Sequence, residues 1–165
     1  MTRRSYLPLA GLALCLVGAA VSGYLTIEHG RGASPICAFG KGCEIVAQSA
    51  YASVGRIPTS AFGLLMYLTL GVLYLVRLLA APPARVDRAF RLAALALVFI
   101  GVGTSAWLTY VELYVIHAVC IWCVTSAIVV SLLLVLAVPD LLIAGQPSPE
   151  LRGPESGGSP ELGPT

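Results

Sequence analysis

The sequence predicts an all-α integral membrane protein: a four-helix bundle whose longest loop, on the extracytoplasmic side, carries a short helix. Three observations predict it. Apolar residues make up 58% of the 165 and charged residues only 11%, and the mean hydropathy is +0.88. A water-soluble surface needs more charge, so lipid is the expected solvent. Four stretches contain no Asp, Glu, Lys or Arg, namely 5–27, 57–76, 92–111 and 113–139. Each supplies the roughly 20 apolar residues that one helix needs to cross the hydrocarbon, where backbone amides must pair internally. Finally, Lys and Arg are placed unevenly around these stretches, which sets an orientation. The formal net charge of +2 gives no footing for nucleic acid, and the length suits one domain.

The first helix is expected at about 6–28. Arg3 and Arg4 precede it as in a secretory leader. Its apolar run exceeds the roughly 7–15 residues of a signal core and lacks a clear small-residue cleavage site, so it reads as a retained helix. An outer loop, 29–58, follows, with turn signals at Gly30, Gly32, Pro35, Gly40 and Gly42. Inside it, 44–52 lacks Gly and Pro and reads as the short helix, with Ile45, Tyr51 and Ala52 towards the bundle. The second membrane helix, about 60–80, is stopped by Pro82 and Pro83. Glu112 alone interrupts the apolar run 92–139. That run is too long for one crossing and suits two, about 88–115 and 119–143, with a turn near 115–119 around His117.

Arg3 and Arg4, with Arg77, Arg85, Arg88 and Arg91, put both termini and the second connection in the cytoplasm of a multi-pass cell (inner) membrane protein. The long loop and the last turn then face outward. The domain spans 1–144. The tail, 145–165, is rich in Pro, Gly, Ser and Glu and is expected to be disordered. Gly11, Gly18, Gly63, Gly71, Gly101 and Gly103 either let helices approach closely or are ordinary membrane-helix glycines.

The five cysteines carry the chemistry. Cys15, alone inside the first helix, reads as a packing residue. The other four map to the outer, oxidising side, which favours disulfide exchange. Cys120-Ile-Trp-Cys123 opens the last helix. There the unpaired amides and the helix dipole stabilise a thiolate, the form that attacks disulfides. Cys123 should lie deeper, within reach of a lipid-soluble acceptor, and Cys120 nearer the surface. Cys37 and Cys43 form a second pair on a loop that Gly40 and Gly42 let fold back. Two dithiols facing each other make a relay. Alternatives are a structural zinc site and two inert disulfides. The oxidising compartment and a membrane-embedded second pair count against zinc, and none is assigned. A bridge within C-x-x-C closes too short a loop to stabilise much through chain entropy.

The pattern resembles the vitamin K epoxide reductase family, and in particular its bacterial members that oxidise thiols. The resemblance rests on Tyr24, the pair Cys37 and Cys43, the stretch 49–51, Pro58-Thr-Ser-Ala-Phe-Gly63 leading to Tyr67, and Cys120-Ile-Trp-Cys123-Val-Thr. It implies a four-helix bundle around a quinone of the menaquinone, ubiquinone or vitamin K type, capped by the loop's short helix. It also implies that Cys123 reacts with the quinone, Cys120 exchanges with Cys43, and Cys37 exchanges with a thioredoxin-like extracytoplasmic protein that donates electrons. Thr59 falls where relatives place a polar residue on a quinone oxygen. Phe62, Met66, Tyr67 and Leu108 fall at pocket-lining positions. Ala127 stands where the animal enzymes carry a pocket tyrosine, which weakens the case for vitamin K epoxide as substrate. The tail is too short for a fused thioredoxin-like domain, so the partner is expected to be a separate protein.

Of the remaining residues, Ser60 reads first as a cap of the second membrane helix and second as a pocket residue. Glu112 and His117 read first as solvated interfacial groups; the alternative is a proton relay to the reduced quinone. Trp107, Tyr110, Tyr114 and Trp122 read as interfacial anchors, with Trp122 also able to wall the site. The expected reaction passes electrons from partner thiols through both cysteine pairs to the quinone, resting on sulfur proximity and a stabilised Cys123 thiolate. The rivals are a vitamin K or epoxide reductase of the same family and a non-catalytic scaffold held by disulfides or zinc.

Overall fold

Long apolar runs become long helices because lipid offers a backbone no hydrogen-bond partner. The computed structural model describes residues 3–37 and 41–144. Helix α1 (Arg3–Gly30) is followed by the short α2 (Gly42–Ala47), strands β1 (Ser53–Val54) and β2 (Ile57–Pro58), and then α3 (Thr59–Ala80), α4 (Ala84–Val111) and α5 (Ile121–Ala144). Among the described residues, four stretches are long and apolar enough to cross a membrane: Tyr6–Gly30, Thr59–Ala80, Ala84–Ile116 and Ile121–Leu142. The protein is an all-α membrane bundle. α1 packs along α3, α4 along α5, and α1 also touches α5.

The turns explain the boundaries. α3 ends at Ala81, whose φ of 41° is left-handed, just before Pro82 and Pro83, which cannot continue a helix. α4 runs into a π-helical turn, Glu112–Ile116, closed by His117 at φ 56°. Helix α5 then starts afresh at Ile121. The tail 145–165 and the expected turn at Gly40 lie outside the described residues.

The outer loop differs from its expected form. The short helix runs over Gly42–Ala47 rather than 44–52, and 53–58, expected as plain loop, form an antiparallel hairpin. Gly55, at φ +67°, supplies the tight turn. The inward face is also different. Cys43 is buried, and Val46, Ala47, Tyr51 and Ala52 line an internal cavity with it, whereas Ile45 is exposed. The helix ends at Ala47, so Tyr51 and Ala52 reach the cavity from the turn that follows it and not from a helical face shared with Ile45.

In the core, Tyr67, Leu70, Val98, Val130 and Leu133 are fully buried, while much of the outer surface is apolar, as lipid contact requires. Tyr67 lies against Gly18 so closely that a methyl group there would overlap its ring. Its hydroxyl reaches across to the Ser126 carbonyl and hydroxyl, each at 3.0 Å. Gly101 admits the Met66 sulfur in the same way. Gly103 does not serve close approach; a side chain there would meet open space. Cys15 is buried beside Gly71.

Candidate active site

Gly42 brings the outer loop onto the bundle. The Val119 carbonyl sits where its Cβ would be, so the backbone of α2 rests on the segment leading into α5. Close approach is its role as much as turning. One residue on, Cys43 is completely buried and joined to Cys37, with Cα atoms 5.8 Å apart. The Cys43 amide donates to the Cys37 sulfur at 3.1 Å.

Ile36, next to Cys37, is held from both sides. Its amide donates to the Tyr24 hydroxyl at 3.0 Å, and its carbonyl accepts from the Trp122 indole at 2.9 Å. The two rings lie 4.9 Å apart. Trp122 is therefore neither a lipid anchor nor a wall of the cavity. It ties the loop to the C-x-x-C turn. Trp107 and Tyr110 on α4 and Tyr114 on the π-turn instead stack in an exposed row.

Cys120 and Cys123 are free thiols. Cys120 immediately precedes α5, and its carbonyl accepts the Val124 amide at 3.0 Å. The Cys123 thiol shares its one proton between the Cys120 sulfur and the Glu112 carboxyl, and the amides of Cys123 and Trp122 also face the Cys120 sulfur. Against burial and the nearby Glu112, these donors hold Cys120 below the ordinary thiol value, at about 7. The sequence reading placed the stabilised thiolate on Cys123. Cys120 takes it because the residue before a helix faces that helix's free amides.

The solvated reading of Glu112 is overturned. The residue is 4% exposed, and its carboxylate accepts the Cys120 amide at 3.1 Å. It continues the cavity face of α4 into the π-turn, while His117, which closes that turn, is exposed.

A cavity of about 690 Å³ opens below these groups, well within the roughly 300–1,000 Å³ of small-molecule sites. Cys43, Cys120, Cys123 and Glu112 line one part of it. Thr59, Phe62, Met66, Tyr67 and Leu108 line it as well. Ala127 does not. It borders a separate shallow groove with Thr109, Val124 and Ile128, because the α5 strip facing the cavity runs through Cys123, Ser126 and Val130. Ser60 is not a cap: α3 already starts at Thr59, after Pro58. Ser60 lines the cavity, with its hydroxyl 3.0 Å from that of Thr26. Thr59 donates its only hydroxyl proton to the Tyr51 carbonyl at 3.0 Å, so in this conformation it offers a ligand an acceptor, not a donor.

An apolar chamber with few hydroxyls and a thiol on its wall suits a flat, lipid-soluble ring. With Cys37 and Cys43 joined, the four thiols of a tetrahedral zinc site are not available together. A disulfide on a loop that packs against an open C-x-x-C, over such a chamber, defines a membrane redox protein. The chain belongs to the vitamin K epoxide reductase family, whose model matches residues 9–138. Membership makes it a membrane oxidoreductase. No curated protein matches it.

Proposed function

We propose that the protein is a thiol–disulfide oxidoreductase that oxidises thiols of an extracytoplasmic, thioredoxin-like protein and reduces a quinone. The observation that carries this reading is the arrangement of the two pairs. Cys37 and Cys43 are joined while Cys120 and Cys123 are free, and Cys43, Cys120 and Cys123 line one cavity. This is the state expected after electrons have left the loop pair and before they leave the inner one.

In the proposed cycle Cys37 exchanges with the partner's thiols and Cys43 with Cys120. Cys123, on the cavity wall, faces the acceptor. The quinone supplies a two-electron, two-proton sink. The residues fitted to hold it are Phe62, Met66 and Leu108 for the ring and its chain, with Ser60 and Tyr67 as polar neighbours. The positive-inside placement of Arg77, Arg85, Arg88 and Arg91 supports cytoplasmic termini in a cell membrane, with the cysteines outside.

The test is purified protein in detergent with a reduced thioredoxin-like protein and menadione. Quinol should form together with a partner disulfide. Cys123→Ser should abolish quinol formation with any donor. Cys37→Ser should block the protein donor while sparing reduction driven by dithiothreitol. Turnover of vitamin K epoxide without quinone reduction would overturn the proposal.

A further inference from the structure

Glu112 is a carboxyl group buried at one end of an apolar cavity, and among the described residues no Lys, Arg or His forms an ion pair with it. An unpaired buried charge is costly, and an ionisable group at membrane depth is a candidate for function. Its polar neighbours are both from the inner cysteine pair: the Cys120 amide at 3.1 Å and the Cys123 thiol, which lies in hydrogen-bond contact with the carboxyl. From α2 the facing sulfur is Cys43, which is locked in its disulfide, while the Glu44 carboxyl is engaged by Gln48. From α1, His29 lines the same cavity.

We propose that Glu112 exchanges a proton with Cys123, acting as its base when the inner pair closes and as its acid when that pair reopens. The inference rests on the redox relay proposed above. Closing the pair breaks two S–H bonds, forms one S–S bond and removes two electrons. The electrons and the Cys120 proton go to a quinone, the Cys123 proton goes to Glu112, and water supplies the quinol's second proton. With its thiol donor gone and no cation beside it, the buried carboxyl stays protonated. When Cys43 attacks Cys120, Cys123 leaves as a thiolate and Glu112 returns the proton to it. The loop dithiol's two protons leave to water as its disulfide forms; one is taken back by Cys120 as it is released, and the other repays the proton given to the quinol, which restores the balance.

A role confined to capping the Cys120 amide would need only an acceptor oxygen, which glutamine also has. Glu112→Gln therefore separates the two roles. The first readout needs no quinone: an infrared difference spectrum of the wild-type protein, oxidised with diamide minus reduced. A protonated-carboxyl band should appear on oxidation and be missing in E112Q. The second is menadione reduction, expected to fall about 100-fold in E112Q, a typical loss for one acid–base group. A spectrum without that band, a band that persists in E112Q, or E112Q turnover within about twofold of wild type would overturn the inference. If E112Q does not hold the fold, Glu112→Asp keeps a carboxyl, and its band must then move in frequency. A wild-type protein that shows the band yet reduces no menadione would sink the proposed function instead.

Discussion

Replacing Asp140 with alanine should destabilise the bundle more than any comparable change at its surface. Asp140 sits near the end of α5, 6% exposed, at the pole away from the cysteines. Its carboxylate accepts from Arg77 at 2.7 and 3.2 Å and also from Arg91. Asp87 accepts from Arg77 at 2.8 Å and from Arg91 at 2.7 Å. The four charges sum to zero and join the ends of α3, α4 and α5. Without Asp140, two guanidiniums share one carboxylate, and the Arg77 side chain is only 4% exposed. Breaking a buried pair from one side costs about 3–5 kcal/mol, so Asp140→Ala should lose about that much. The double variant Arg77→Met, Asp140→Leu removes one charge of each sign and leaves the Asp87–Arg91 pair neutral. It should lose at most about 1–2 kcal/mol, since a buried ion pair replaced whole by apolar groups is often neutral. Equilibrium unfolding in detergent micelles measures both, and the difference shows how much of the single variant's loss comes from the guanidinium left without its carboxylate. A D140A protein within about 1 kcal/mol of wild type, or a double variant no better than the single, would refute the reasoning.

At the opposite pole, alkylation of Cys120 should follow its thiolate. The rate should rise with pH through a midpoint of about 7 and fall about tenfold per unit below it. Cys123→Ala removes the main donor, so the midpoint should move up by more than about one unit towards the ordinary thiol range; peptide mass spectrometry of iodoacetamide-labelled protein reads it, and an unmoved midpoint would discard the Cys123 hydrogen bond as the cause. Trp122→Phe keeps the ring but leaves the Ile36 carbonyl without its donor, and one such bond is worth about 1 kcal/mol. Reduction of the Cys37–Cys43 disulfide by dithiothreitol should then speed up about fivefold, and equal rates would show that the tie does not hold the loop.

The membrane bundle was legible because its cause is local: an apolar run of sufficient length has no alternative to a helix in lipid. The cysteine pairs were legible because spacing and position relative to a helix start are sequence properties. The contacts that join distant segments were not. Nothing near Trp122 in the chain announces a bond to the Ile36 carbonyl, which lies 86 residues away. Asp140 follows Pro139 inside the expected last helix, and nothing beside it in the chain names its partners. Only the fold shows that Arg77 and Arg91, counted for orientation, converge on it. The short loop helix was misplaced because Gly42 looked like a turn residue, while its lack of a side chain was needed for the Val119 carbonyl.

Glu112 and Ala127 are different cases, because helical phase alone could have decided both. Once Leu108 is given to the cavity, the residue one turn on, Glu112, continues the same face just past α4, as Ser105 and Gly101 do one and two turns before. Reading it as solvated meant judging it by nearness to the membrane surface instead of by phase. Once Cys123 is fixed on the cavity wall, the positions that follow it inward are three and seven residues on, Ser126 and Val130. Ala127 lies on the other side of that strip, turned towards the groove it shares with α4. A pocket residue carried over from a resemblance therefore needs a phase check against an anchored neighbour. Here that check moves a carboxyl into the site and takes a methyl out of it.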